Sequence, residues 1–324
     1  MARFRELSAA DVGEILTLFG LPSGAYRNHQ AIAAGTINTN LRVETADGLR
    51  FLRINEGKTA DDVVREAAIV AHLAAAGVPT PVPLTAPTGA PYALWQGQFV
   101  SIFPWLAGRT LARGELVPAH AEQVGRALGR LHVAGATFPD RRPGRYEPDE
   151  IDRRVVRIAE LASTDPALAA AVDVLAPELE ALHRERATDL PLGLIHGDLF
   201  VDNVLFDGAA MTALLDFEQA SWGRLAYDLA VTTLAFGYGR DDFRPDVVRA
   251  LFAGYRAERP LDARERAAFL AELRFVACRF AVTRITDVYL RTAGAAPGKD
   301  FRRYLARLES IRHHAAAGES LLSP

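Results

Sequence analysis

Apolar residues recur along this chain in two rhythms, and the change from one to the other falls near residue 104. Over residues 8–19 they come at helical spacing, with Ser8 as N-cap and Gly20 and Pro22 as terminators, which predicts a short amphipathic helix. From about Gln30 the runs shorten. QAIAAG, TINTN, LRVET and LRFLRI, separated by turn residues, predict a meander of antiparallel strands. Asp47-Gly48 predicts a hairpin, because both central positions of a type I′ turn need positive φ. Residues 61–76 carry Val63, Ala67, Val70 and Ala74 on one helical face and stop at Gly77 and Pro79, so a helix lies against the sheet. After prolines 79, 81 and 83, residues 92–95 and 99–103 predict two more strands around Gln96-Gly97.

FPWLAGR, with Pro104 and Gly108, breaks the strand rhythm, and helical periodicity follows almost throughout. Helices are predicted from Pro118 to His132 (Val124, Leu128 and Leu131 inward), near 149–162 (Ile151, Val155 and Ile158 inward), and over 166–186, 228–236 and 245–258. Another spans 262–291, opened by Asp262 and Glu265 in capping-box spacing, and a last one starts near Asp300 with Phe301, Tyr304, Leu305 and Leu308. Residues 293–298 read as a loop. The expected organisation is α+β: a sheet part over 1–103, a hinge near 100–108, and a mainly helical part over 109–324.

Composition narrows the class. At 324 residues and 49% hydrophobic the chain is globular and long enough for two lobes. A net charge of −3 gives no electrostatic reason to expect nucleic acid or an anionic membrane as partner, so a polyanionic ligand needs a local basic site. Charges interrupt the N-terminal apolar residues and no run is long enough to span a bilayer, so the expected location is the cytoplasm. Cys278, flanked by Phe275, Val276 and Phe280, reads as a buried thiol outside any disulfide. The sequence carries no signal on oligomeric state.

The helical part is interrupted by three short apolar runs, 192–195, 204–206 and 213–215, and polar clusters follow where they end. These clusters supply His196, Asp198, Asn203 and Asp216. Such side chains position a hydroxyl nucleophile and hold magnesium, a hard cation that prefers oxygen ligands. A sheet part, a hinge and a helical part bearing acids at strand ends is the architecture of a bilobal, protein-kinase-like phosphotransferase.

The motifs sharpen this into a resemblance. HGDLFVDN resembles the catalytic loop of the aminoglycoside phosphotransferase and choline kinase superfamily, and LLDFE its metal-binding strand end. The resemblance implies ATP and Mg2+ as cofactors, Asp198 as catalytic base, His196 ordering the same loop, and Asn203 and Asp216 as metal ligands. It implies that GTINTN, with Gly35, Thr36, Asn38 and Asn40, covers the nucleotide phosphates, and that Arg53 grips them where most relatives have lysine. Phe51 would contact adenine, Glu66 would pair with Arg53, and Ser101, Ile102 and Phe103 would offer the hinge backbone. Asp228 in YDLA would tie its helix to the catalytic loop. Taken alone, Arg53 reads as a solvated strand charge, Glu66 as a surface glutamate and GTINTN as a polar hairpin turn.

Within the superfamily, HGDLFVDNVLFDG, LLDFEQASWGRLAYDLAVT, LRFVACRFAVTRITD and KDFRRYLARLESIR look like the homoserine kinases of this fold. The reaction implied is transfer of the ATP γ-phosphate to L-homoserine, a step of threonine biosynthesis. Gly197 and Glu218 depart from many of those kinases. Glu218, Arg224, Arg279, Arg284 and Asp287 are the candidates for binding a zwitterionic amino acid, though the last three also read as a salt-bridged helix face. Kinases of choline, ethanolamine or methylthioribose, aminoglycoside phosphotransferases, and a nucleotide-binding protein without catalysis stay open as alternatives.

Overall fold

The computed structural model describes residues 5–22, 24–32, 38–292, 299–317 and 324. The chain forms two compact units, Met1–Gly108 with Thr212–Glu218, and Arg109–Met211 with Gln219–Pro324. Thr212–Glu218 was expected with the helical part. It belongs to the first unit because Thr212 Oγ1 donates to Ala107 O at 2.8 Å and Leu214 N donates to Pro79 O at 2.8 Å.

In the first unit, β1 (Tyr26–Ala31), β2 (Thr39–Thr45), β3 (Gly48–Ile54), β4 (Ala93–Trp95) and β5 (Gln98–Pro104) form an antiparallel sheet in the order β1-β2-β3-β5-β4. Alternation along β2 and β3 turns Leu41, Val43, Leu52 and Ile54 into a core shared with Val12, Ile15 and Leu16 of α1 (Ala9–Leu18). Ser8 caps α1 in a reciprocal pair with Asp11. In α2 (Ala60–Ala75), capped by Thr59 and Asp62, the buried stripe is Val63, Ile69, Val70 and Leu73. Ala67 and Ala74 stay half-buried, since the larger side chains of Ile69 and Leu73 claim the contact.

One turn differs from expectation. Thr45 pairs with Gly48, so Ala46 and Asp47 form the turn and Gly48 alone has positive φ (116°). The type I′ signature instead sits between β4 and β5, where Gln96 (φ 47°) and Gly97 (φ 75°) are both left-handed and Trp95 pairs with Gln98.

The second unit contains α3 (Pro118–Gly135), α4 (Pro148–Leu161), α5 (Pro166–Glu185), α6 (Leu225–Thr232), α7 (Pro245–Glu258), α8 (Ala263–Arg284), α9 (Leu290–Thr292) and α10 (Arg302–Ala316). α6 and α8 run on into single π-helical turns, Thr233–Gly237 and Ile285–Tyr289. Two glycines set the α3–α7 crossing. A Cβ on Gly125 would lie 2.1 Å from Leu251 O, and one on Gly254 would lie 2.0 Å from Glu122 O, so backbone meets backbone. Short strands interrupt the helices: β6 (Leu192–Ile195), β7 (Val204–Asp207), β8 (Ala210–Leu214, whose end joins the first unit) and β9 (Ser221–Arg224). β6 pairs antiparallel with β9, a strand that SWGR carries too little apolar pattern to announce. Cys278 is fully buried, as expected. Among the described residues no helix is long and apolar enough to cross a membrane.

Candidate active site

In the second unit, β6 delivers the loop from His196 to Asn203. The buried Asp228 carboxylate of α6 accepts His196 N at 2.7 Å and Gly197 N at 2.8 Å, and also contacts His132 Nε2 at 3.0 Å. Burial alone would raise the Asp228 pKa, but the His132 contact, His196 and the Gly197 N–H outweigh it and hold the carboxyl below its ordinary range. Asp228 is therefore an anion built into the loop, the tie foreseen for YDLA. Gly197 has φ 76°, and a Cβ there would lie 2.9 Å from Gln219 O, so glycine is required by both conformation and space.

Beyond Gly197 the loop closes on itself. Asp198 N donates to His196 Nδ1 at 3.4 Å, while Asp198 O accepts Phe200 N at 2.9 Å and Asn203 Nδ2 at 2.8 Å. The Asp198 side chain remains 34% exposed, with Arg279 Nη1 3.9 Å from Oδ1. Burial of the loop raises the Asp198 pKa, and Arg279 and Arg284 pull it back toward its ordinary value. Arg279 is 3% exposed and held between the Tyr146 and Phe280 rings at 4.1 and 3.9 Å. Because the Asn203 amide nitrogen is held by Asp198 O, its Oδ1 is the atom left for a cation.

The first unit carries a cluster of charges. Arg53 Nη2 contacts Glu66 Oε2 at 2.8 Å and Nη1 lies 3.6 Å from Glu218 Oε1; Lys58 Nζ reaches Glu218 Oε2 at 2.9 Å. Arg53 is 8% exposed. Desolvation alone would lower its pKa, but Glu66, Glu218 and Asp216 raise it, so the guanidinium is held as a cation. Its Nε has no hydrogen-bond partner. Glu218 behaves reciprocally: desolvation opposes its ionisation, and Arg53 and Lys58 overcome that and lower its pKa. Asn38 bridges the loop to this cluster, donating to Glu218 Oε1 and accepting Glu56 N at 3.1 Å. Asp216, after β8, is a non-glycine residue at φ 62°, a conformation aspartate tolerates better than most side chains. Its carboxylate is a hard oxygen donor.

Asn203 Oδ1 in the second unit is an oxygen donor of the kind magnesium takes, and so, taken by itself, is the Asp216 carboxylate in the first. Among the described residues, no group of three His, Cys, Asp or Glu side chains is arranged to hold a metal by itself.

Other expected residues fall as follows. Asn40 and Ser101 flank Arg53 in the ladder, and Phe51 lies opposite Phe103, their rings 5.9 Å apart. Ser101, Ile102 and Phe103 were expected at a hinge but lie inside β5, paired with Arg53, Leu52 and Phe51, and Ile102 O accepts Leu84 N at 2.7 Å. Their backbone is engaged in the sheet because β5 runs on to Pro104. Arg224 and Arg186 share the fully buried Glu272, and Asp287 accepts Arg154 Nη1 at 2.9 Å, so Arg224 and Asp287 are each engaged in an ion pair within the second unit. Gly35 and Thr36 lie outside the described residues, as does the loop 293–298.

Sequence reasoning missed Lys58 and Lys299. The signal was rarity: they are the two lysines among 37 lysines and arginines, and both stand at clusters of charge. Lys299 lines a cavity of about 310 Å³ in the second unit, bordered by Phe200, Val201 and Asp202 of the catalytic-type loop.

The chain resembles known proteins along nearly its whole length. Residues 28–270 match the family model described as the phosphotransferase enzyme family. The chain is 33% identical over 323 residues to a homoserine kinase of Mesorhizobium japonicum, covering 98% of this chain and 99% of that protein. It is 34% identical to a homoserine kinase of a Bradyrhizobium species, over 98% of this chain and 95% of that one. Among solved structures, a spectinomycin phosphotransferase in complex with ADP and spectinomycin superposes with a TM-score of 0.71 at 15% identity, over 96% of this chain and 99% of that one. The fold is thus that of the aminoglycoside phosphotransferases.

Proposed function

The chain belongs to the phosphotransferase enzyme family, and from that premise we propose that it transfers the γ-phosphate of ATP to the side-chain hydroxyl of L-homoserine. The product is O-phospho-L-homoserine, a precursor of threonine. The observation that carries the choice of acceptor is the 33–34% identity to homoserine kinases along nearly the whole chain. Spectinomycin belongs to a neighbour at 15% identity, which supports the fold and leaves the acceptor to the closer relatives.

Asp198 is the base. In a loose phosphoryl-transfer transition state little charge builds on the nucleophile, so Asp198 mainly orients the hydroxyl and takes its proton late. Position therefore matters more than basicity, and the bonds from Asp228, His196 and Asn203 supply position. Arg53, held by Glu66, binds nucleotide phosphate, with Lys58 as a second cation tied through Glu218. Phe51 and Phe103 offer the adenine an aromatic wall. Asn203 and Asp216 are the residues that would ligate magnesium, which when bound would neutralise charge on the phosphates. The enzyme works in the cytoplasm on small molecules.

Phosphorus NMR of a reaction containing ATP, Mg2+ and L-homoserine tests this directly. A new phosphomonoester on the homoserine side chain is expected; ATP turnover without that product contradicts the assignment.

A further inference from the structure

The cavity beside the catalytic-type loop is lined by five cationic side chains and two carboxylates. Arg113, Arg284, Lys299, Arg303 and Arg307 border it, against Asp202 and Asp300. Asp300 is engaged by Arg302 at 3.3 Å. Arg113 donates to two carbonyl oxygens, Ala235 at 2.6 Å and Tyr238 at 3.2 Å, which are dipoles and bring no net charge. Arg307 is 7% exposed, rests on the Tyr238 and Tyr304 rings at 5.0 and 4.8 Å, and has a terminal nitrogen without a hydrogen-bond partner. Among the described residues, none of Arg113, Arg284, Lys299 and Arg307 forms an ion pair with a carboxylate that lines the cavity.

Gathering partly buried cations around few carboxylates costs free energy that an anion recovers. Burial lowers the pKa of Lys299, with Arg284 adding to it and Asp202 and Asp198 opposing it, and burial lowers that of Arg307. A choline, ethanolamine or aminoglycoside acceptor is a cation and would add to the repulsion. A zwitterionic amino acid brings an ammonium too, but with it a carboxylate that these cations can receive.

We infer that this cavity is the acceptor subsite and that Lys299 and Arg284 receive the carboxylate of the amino-acid acceptor. The inference rests on the reading of the acceptor as homoserine and adds where its recognition lies. Both side chains are half-buried, within reach of a ligand, while Phe200, Val201 and Leu111 line the same cavity with apolar surface for the methylenes. Phe200 to Asp202, which lie between Asp198 and Asn203 in sequence, set the cavity beside the loop that carries Asp198.

The experiment compares L-homoserine with 3-aminopropan-1-ol, the same alcohol and amine without the carboxylate, in the native enzyme and in Lys299→Met and Arg284→Met. The native enzyme is expected to prefer homoserine in kcat/KM. Each variant is expected to reduce that preference, read as the ratio of the two kcat/KM values so that any shared change in turnover cancels, by about tenfold or more, with the loss in KM for homoserine. Calorimetry with unreactive L-2-aminobutyrate gives a second readout, with weaker binding to both variants expected. If the native enzyme shows no preference, the homoserine reading itself fails. If it prefers homoserine and both variants keep the full preference, the assignment of the cavity is overturned. Binding of inorganic phosphate, but not L-2-aminobutyrate, in a manner lost in the variants also overturns it.

Discussion

Asp228 Oδ2 accepts the backbone N–H of His196 at 2.7 Å, and the same carboxylate takes Gly197 N and His132, so one buried anion fixes the entry to the loop that presents Asp198. Removing it leaves several buried donors without an acceptor. Asp228→Ala is expected to cost about 3–5 kcal/mol of stability. It should also lower kcat in the protein that remains folded, as loop geometry loosens. Chemical denaturation and kcat measured together check this, and an unchanged midpoint contradicts it.

Asp198→Ala is expected to lower turnover by roughly 10²–10⁴-fold, the usual contribution of a positioned acid or base, with ATP affinity nearly unchanged. Residual turnover near the native rate would remove Asp198 as the base.

The acid limb of kcat/KM tests the electrostatics of the same residue. Asp198 acts deprotonated, burial raises its pKa and Arg279 lowers it. Activity should therefore fall on the acid side at a pH above that of an ordinary carboxylate. Arg279→Gln, which removes the opposing charge, should move that limb to still higher pH. A limb that stays in place or moves down contradicts the account.

Much of this was legible in the chain. Ser8 with Asp11, the β2–β3 alternation and the Asp198, Asn203 spacing are local, short-range patterns, and local patterns survive into structure. What escaped was set by distant partners. Glu218 reads from sequence as a departure near the acceptor, yet it is paired with Lys58 and Arg53 of the first unit. The β9 strand owes its conformation to β6, and the engagement of Ser101–Phe103 in the ladder depends on where β5 stops. The cation-lined cavity joins residues from both ends of the second unit, and no window of sequence displays their convergence.

Arg53→Met is expected to raise KM for ATP and to leave Glu66 and Glu218 short of a buried partner, costing about 3–5 kcal/mol. Nucleotide titration and thermal unfolding of the same sample separate the two effects. A normal KM would return Arg53 to a structural role.

Gly254→Ala is expected to destabilise by about 3 kcal/mol, because its Cβ would fall 2.0 Å from the Glu122 carbonyl oxygen and the α3–α7 contact has no flexible side chain to yield. Gly114→Ala, with nothing within 4 Å, serves as the control and should change stability by less than about 0.5 kcal/mol. Equal effects of the two substitutions, read as shifts in thermal midpoint, would contradict the packing argument.

The most direct test of the central claim is kcat/KM, from ADP release, for L-homoserine, choline, ethanolamine, methylthioribose and kanamycin under one set of conditions. The account predicts that L-homoserine gives the highest value; a higher value with any of the other four acceptors would contradict it.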